Sequence, residues 1–145
     1  MKKIVINKCY GGFSLSHKAM LEYAKIAGFK LYGYVSYRDE TRKIDFDKMI
    51  PYNEKDEPFI IYYSKKKLTR NINKQYNNLD KKDYFSSRDF ARDDPILIKV
   101  VESLGAAAND ADAELKIVEI PDNVEWEVTE YDGLEKIEEK HKIWD

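Results

Sequence analysis

An α+β fold is predicted here, a mixed, mostly antiparallel sheet with about three helices packed on it. Three observations lead there. Short β-rich runs recur, at Lys2–Asn7, Phe29–Tyr37 and Glu114–Ile120. Segments of helical period follow some of these runs but not all, so the strict strand–helix alternation of a parallel sheet breaks down. Val124, Trp126 and Val128 alternate with Glu125, Glu127 and Thr129, which gives that strand one apolar and one wet face, as antiparallel sheets commonly have.

Taken in order, Ile4, Val5 and Ile6 form a first strand, apolar on both faces and therefore central. Cys9-Tyr10-Gly11-Gly12-Phe13 breaks it. A helix follows, with Ala19, Met20, Tyr23, Ile26 and Ala27 at helical spacing, Ser14 or Ser16 as cap and Gly28 as terminator. Phe29–Tyr37 reads as a second strand, with Leu31, Gly33, Val35 and Tyr37 on one face and Tyr32, Tyr34 and Ser36 on the other. Residues 38–42 read as a polar loop, and Lys43–Ile50 fits either a short strand or a helical turn. Pro58–Tyr63 is a strand with proline at its entry.

From Ser64 to Tyr84 lysine and asparagine dominate, and Leu68, Ile72, Tyr76 and Leu79 form a sparse helical stripe. Two readings stand: a solvated surface helix or loop, or a basic patch (Lys65, Lys66, Lys67, Arg70, Lys74) for a phosphate-bearing partner. Asp93 or Asp94 caps the next helix and Pro95 opens it, with Ile96, Leu97, Val100, Val101 and Leu104 on its apolar face and Gly105 at its end. Glu114–Ile120 and Val124–Tyr131 read as a hairpin around Pro121-Asp122-Asn123. Asp132-Gly133-Leu134-Glu135 has capping-box spacing, which predicts a last helix with Leu134, Ile137, His141 and Trp144 on one side. The 145 residues read as a single domain, with a polar, mobile or inserted segment near 64–84.

Composition narrows the function classes. A net charge of −2 with both signs mixed lacks the overall basic excess of a strong nucleic-acid binder. No apolar run approaches the roughly 18–20 residues of a membrane span, and no signal peptide is expected behind the two N-terminal lysines. One cysteine excludes an internal disulfide and fits a reducing cytosol. The eleven tyrosines offer flat faces with polar tips, useful in cores and in wet binding surfaces.

The candidate binding residues cluster at the glycine turn. Tyr10-Gly11-Gly12-Phe13-Ser14 has neither P-loop nor G-x-G-x-x-G spacing, so the glycines serve either a turn at positive φ or the close approach of backbone to a phosphate ahead of a helix. Arg88 and Arg92, four apart, share a face if locally helical and could grip a phosphate in bidentate fashion, or pair with Asp89, Asp93 or Asp94. Cys9 with His17 or His141, of which His17 is the nearer in sequence, is geometrically conceivable as a nucleophile and base, a buried or half-buried thiol being the plainer reading. His141 reads as a packed histidine. Glu125, Glu127 and Glu130 read as a solvated strand face. No metal motif stands out, and neither a metal nor a cofactor is expected.

Two stretches carry a resemblance. Lys2–Phe13 followed by Leu15-Ser16 resembles the opening of a family of small bacteriophage and prophage proteins. Its second half resembles Asp94-Pro95, Val100-Val101-Glu102, Leu115–Asp122, Val124–Trp126, Glu130–Gly133 and the closing His141 and Trp144. Ser14 stands where the family often has glycine, and the resemblance does not extend over residues 38–84. It implies a phage protein acting in the host bacterial cytosol, and no particular chemistry. By analogy with other phage accessory proteins, the leading expectation is a counter-defence binding protein, not an enzyme. It would sequester a small phosphorylated, nucleotide-derived signal in a homo-oligomer. Tyr10, Gly11, Gly12, Phe13 and Ser14 would hold the ligand, Arg88 and Arg92 would neutralise it, and Tyr10, Tyr32 or Tyr34 would stack on its base. The alternative is an inhibitor that docks on a host protein through Tyr34 or Tyr62-Tyr63; an enzyme that cleaves a nucleotide with Cys9 or His17 ranks third.

Overall fold

The computed structural model describes residues 1–38, 44–53 and 60–140, with backbone only for 37, 38 and 44–48. The elements run β1 (Lys2–Asn7), α1 (His17–Ala27), β2 (Tyr32–Arg38), β3 (Ile44–Pro51), β4 (Tyr62–Ser64), α2 (Ile72–Asn77), β5 (Tyr84–Phe85), α3 (Pro95–Leu104), β6 (Leu115–Ile120), β7 (Trp126–Tyr131) and β8 (Leu134–Glu139). Short 3-10 turns occupy Ser87–Asp89 and Gly105–Ala108. The class is α+β as predicted, and every pairing among the described strands is antiparallel. The chain divides into two compact units, one built from Met1–Ala27 with Ser87–Asp145, the other from Gly28–Ser86. The segment set between the two halves of the first unit is thus longer than the polar 64–84 stretch.

In the discontinuous unit, β1 pairs with β6 in register from Lys2–Ile120 to Asn7–Leu115. Ile4, Val5, Ile6 and Asn7 are fully buried. Amides alternate between the edges of a strand. Lys8 N–H reaches Glu114 C=O on the β6 side, while Val5 N–H donates to Arg92 C=O at 2.8 Å and Asn7 N–H to the Glu135 carboxylate at 2.8 Å on the other. Both edges of β1 are therefore satisfied although only one meets a strand. Ala19, Met20 and Ala24 of α1 and Leu97, Val100 and Val101 of α3 complete the core, each large apolar side chain contributing roughly 1.5–3 kcal/mol on burial.

The helix boundaries follow local chemistry. Ser16, not Ser14, caps α1: its Oγ accepts Ala19 N–H at 3.1 Å and donates to Ala107 C=O at 2.6 Å. Gly28 ends the helix at φ +89°. Asp94 caps α3 by accepting Ile96 N–H at 2.8 Å, with Pro95 in the first turn. Its other carboxylate oxygen accepts the Tyr23 hydroxyl at 2.5 Å. Burial first, and then this carboxylate, hold the Tyr23 phenol well above its usual pKa.

Three expectations are corrected here. Residues from Leu134 form a strand, β8, which pairs with β7 from Tyr131–Leu134 to Trp126–Glu139; His141 and Trp144 lie outside the described residues. β6 pairs with β1 and not with β7. The second strand begins at Tyr32, not Phe29, and the fourth covers only Tyr62–Ser64; Pro58 and Phe59 of the predicted Pro58–Tyr63 strand lie outside the described residues. Lys43–Ile50, left open, is largely strand β3.

The Gly28–Ser86 unit holds a four-stranded sheet in the order β3-β2-β4-β5. The stripe Leu68, Ile72, Tyr76, Leu79 supplies its core: Tyr34, Leu68 and Ile72 are buried, with Tyr32, Met49, Tyr76 and Leu79 packed around them. Only Ile72–Asn77 is helical. Leu68 is fixed instead by its N–H, which donates to the Tyr34 hydroxyl at 2.7 Å.

Asp94 serves two partners, so Asp94→Ala is expected to cost about 2 kcal/mol, one part for the cap and one for the Tyr23 hydrogen bond. Tyr23→Phe costs about 1 kcal/mol. Urea unfolding of the two single variants and the double variant checks this, the double variant lying close to Asp94→Ala alone.

Candidate functional site

The residues singled out at the glycine turn come together with groups that the sequence pattern did not connect to them. Asn7 ends β1 just before the turn and is fully buried. Its Nδ2 donates to Cys9 C=O at 2.7 Å and to Gly133 C=O at 2.8 Å, and its Oδ1 accepts Glu114 N–H at 2.9 Å. Each hydrogen-bonding group of this side chain thus has work within the fold. Beside it, Glu135 is only 4% exposed. Its carboxylate takes Asn7 N–H and a two-pronged contact from Arg92, Nη1 to Oε1 at 2.5 Å and Nη2 to Oε2 at 2.8 Å. Arg92 also points Nη1 at Val5 C=O, 3.4 Å away, and lays its guanidinium over the Phe13 ring at 3.6 Å.

Arg92 and Phe13 are therefore brought together, as cation and aromatic face. Arg92, expected to neutralise a phosphate, has its charge met within the fold by a buried carboxylate. Nor do Arg88 and Arg92 share a helical face, because the 3-10 turn ends at Asp89 and residues 90–92 are not helical. Arg88 is exposed on that turn and is engaged by other residues of the protein.

The glycines serve the junction. A Cβ on Gly11 would overlap the carbonyl oxygen and Cβ of Asp112. A Cβ on Gly133, at φ +87°, would overlap the amide nitrogen of Gly12 and lie 2.7 Å from Tyr10 C=O. Three turns, carrying Gly11, Asp112 and Gly133, pack closely here, which only glycine allows at positions 11 and 133. Gly12 differs. It adopts φ +97°, but the position of its Cβ is open. The turn also stands apart from the helix N-terminus expected to follow it, since α1 starts at His17, and the Ala19 amide is taken by Ser16. Ser14 Oγ donates to Asp110 Oδ2 at 2.9 Å.

The outer surface of the junction is aromatic. Tyr10 is 62% exposed and Tyr131, two residues before Gly133, is 79% exposed. The other tyrosines considered as stacking groups or anchors are not so placed: Tyr34 and Tyr63 are buried, and Tyr32 and Tyr62 pack within the Gly28–Ser86 unit. Cys9 is partly buried and His17 opens α1. Glu125, Glu127 and Glu130 are exposed, as a solvated face requires. Among the described residues no three His, Cys, Asp or Glu side chains converge as a metal-binding set. A shallow, open depression lies on α3, lined by Pro95, Ile98, Lys99, Glu102 and Ser103. No described helix is long and apolar enough to cross a membrane.

Compared with known proteins, the chain matches no family model, no curated protein and no solved structure.

Two outcomes test the junction. Gly11→Ala and Gly133→Ala, which drive a Cβ into backbone, are each expected to destabilise the protein by more than 3 kcal/mol. Gly12→Ala bears only the positive-φ strain, about 1–2 kcal/mol; thermal unfolding ranks the three. Glu135→Gln keeps an acceptor for Asn7 N–H but strands Arg92, and is expected to cost about 3 kcal/mol, read from the midpoint of urea unfolding.

Proposed function

We propose that this chain is a non-catalytic, phage-encoded binding protein that acts in the bacterial cytosol by docking on a host defence or metabolic protein through the outer surface of the glycine junction. The phage origin rests on the sequence resemblance. The observation that carries the docking reading is the commitment of Arg92 to Glu135, beneath a surface that presents Tyr10 and Tyr131. A cation spent inside the fold is a poor phosphate receptor. Exposed tyrosines on or beside turns stiffened by backbone packing, in contrast, make good anchors, because little side-chain entropy is lost on binding.

One observation favours the second reading, sequestration of a small phosphorylated signal. The open flank of Gly12 would let a phosphate or base approach the main chain beside Tyr10. In that reading the protein self-associates to complete the site.

Tyr10→Ser with Tyr131→Ser separates the two. Both side chains are exposed, so the melting temperature is expected to stay within about 2 °C of wild type. Wild-type protein immobilised in a host lysate is expected to retain a protein that the double variant loses. The docking reading fails if no host protein shows that difference while a nucleotide raises the melting temperature of wild type and not of Gly12→Trp. Light scattering then reports whether the ligand-binding species is an oligomer.

A further inference from the structure

The neutral average of the chain conceals a segregation of charge. Between Ile60 and Ser86 stand seven basic residues against two acidic ones, Asp80 and Asp83. One of the seven, Lys65, has its ammonium over the Phe29 and Phe85 rings, 4.5 and 5.6 Å from their centres. The other six, Lys66, Lys67, Arg70, Lys74, Lys81 and Lys82, are all exposed, and none forms an ion pair among the described residues.

The fold brings part of this set together and leaves the rest exposed on the same unit. Leu68 and Ile72 are buried and Tyr76 and Leu79 pack on them, which turns Lys74 outward from α2. Ser64 Oγ brackets Lys66, accepting its N–H at 3.0 Å and donating to its C=O at 2.7 Å. Lys65 N–H donates to Asp83 C=O at 2.8 Å, which draws the 65–67 loop beside the turn carrying Lys81 and Lys82. Arg70 is held through its carbonyl, which accepts from the Gln75 side chain. Like charges on neighbouring residues repel one another, and no described carboxylate of the unit lies within ion-pairing distance of these six. Next to Lys81 and Lys82, Tyr84 leaves 44% of its surface exposed.

We propose that this basic face of the Gly28–Ser86 unit binds single-stranded nucleic acid. The cations track successive phosphates, and the exposed ring of Tyr84 stacks on an unpaired base, the pairing of charge and aromatic surface that single strands fit and duplexes do not. The site is separate from the junction proposed for protein docking and does not depend on it.

The test uses the full chain and fluorescein-labelled 12-mers of single-stranded RNA, single-stranded DNA and duplex DNA, followed by anisotropy from 50 to 300 mM KCl. Single strands are expected to bind at micromolar concentration or below, more tightly than duplex. The slope of log K against log salt is expected near −2 to −4, since each phosphate neutralised on a single strand contributes about −0.7. Lys66→Glu, Lys67→Glu and Arg70→Glu combined should weaken binding at least tenfold. The neutral set Lys66→Gln, Lys67→Gln and Arg70→Gln should weaken it less and flatten the slope. Tyr84→Ala should weaken it severalfold and leave the slope unchanged. Charge reversal at exposed Lys18 and Lys25 of α1 should change affinity by less than about threefold. No binding at 50 mM KCl overturns the proposal, as does an equal loss from the α1 variants. Competition by polyglutamate as effective as that by oligonucleotide also overturns it, in favour of an acidic protein partner.

Discussion

The discontinuous unit depends on one buried polar knot, the contact of Glu135 with Arg92 and Asn7. Two strongly solvated groups leave water there, an expense that is recovered only if every lone pair and proton finds a partner. Here the carboxylate accepts from both prongs of the guanidinium and from the Asn7 amide, and the Asn7 side chain donates to Cys9 and Gly133 and accepts from Glu114. Residues near positions 7, 92, 114 and 133 are tied together by hydrogen bonds whose geometry admits one arrangement. Apolar burial cannot do this for the β7–β8 hairpin, because Glu135 is the one buried side chain among the residues of its two strands. A slip of one residue would place Leu134 or Lys136 where the carboxylate is needed and leave Arg92 uncompensated.

The same knot explains which features were legible in the sequence. Helices α1 and α3 were, because their stop and start signals are local: Gly28 at positive φ, Asp94 with its own Ile96 amide, Pro95 in the first turn. The last helix was misread for the opposite reason. Asp132 and Glu135 have capping-box spacing, and nothing nearby in sequence reveals that Glu135 is claimed by Arg92 and Asn7 from far along the chain. The partner of β6 was misread likewise. Pro121-Asp122-Asn123 signals a turn but not a hairpin, and whether the next strand pairs across it depends on β1 having a free edge. Strand pairing is non-local, so a pattern read along one dimension sees the strands and not their neighbours.

The glycine turn shows a subtler limit. Two adjacent glycines announce that a side chain is not tolerated, and they do not announce what excludes it. A ligand and a neighbouring stretch of backbone make the same demand. Here Asp112 excludes it at Gly11, and the approach of Gly133 makes Gly12 part of the same contact. Phe13, expected among the residues that hold a ligand, lies with its ring against the Arg92 guanidinium. The partner of that ring lies within the protein.

Tyrosine usage in the Gly28–Ser86 unit follows from the size of its core. Few aliphatic side chains are available there, and rings fill the space: Tyr62 meets Tyr76 edge-on at 5.5 Å, and Tyr76 meets Tyr84 at 5.7 Å. Burial, and then the hydrogen bond and charge of Tyr84, push the Tyr76 phenol well above its ordinary pKa, so it stays neutral and behaves as a large apolar group with one polar tip. The Tyr34 hydroxyl accepts the buried Leu68 amide, which lies ahead of the helix and has no intrahelical partner. An aromatic core with its own hydrogen-bonding groups lets the chain over it run as short loops and a single helix of Ile72–Asn77. That arrangement leaves Lys66, Lys67, Arg70 and Lys74 exposed. The exposed lysines are the complement of the buried stripe, and the spacing that makes Leu68, Ile72, Tyr76 and Leu79 a core also leaves the intervening cations facing solvent.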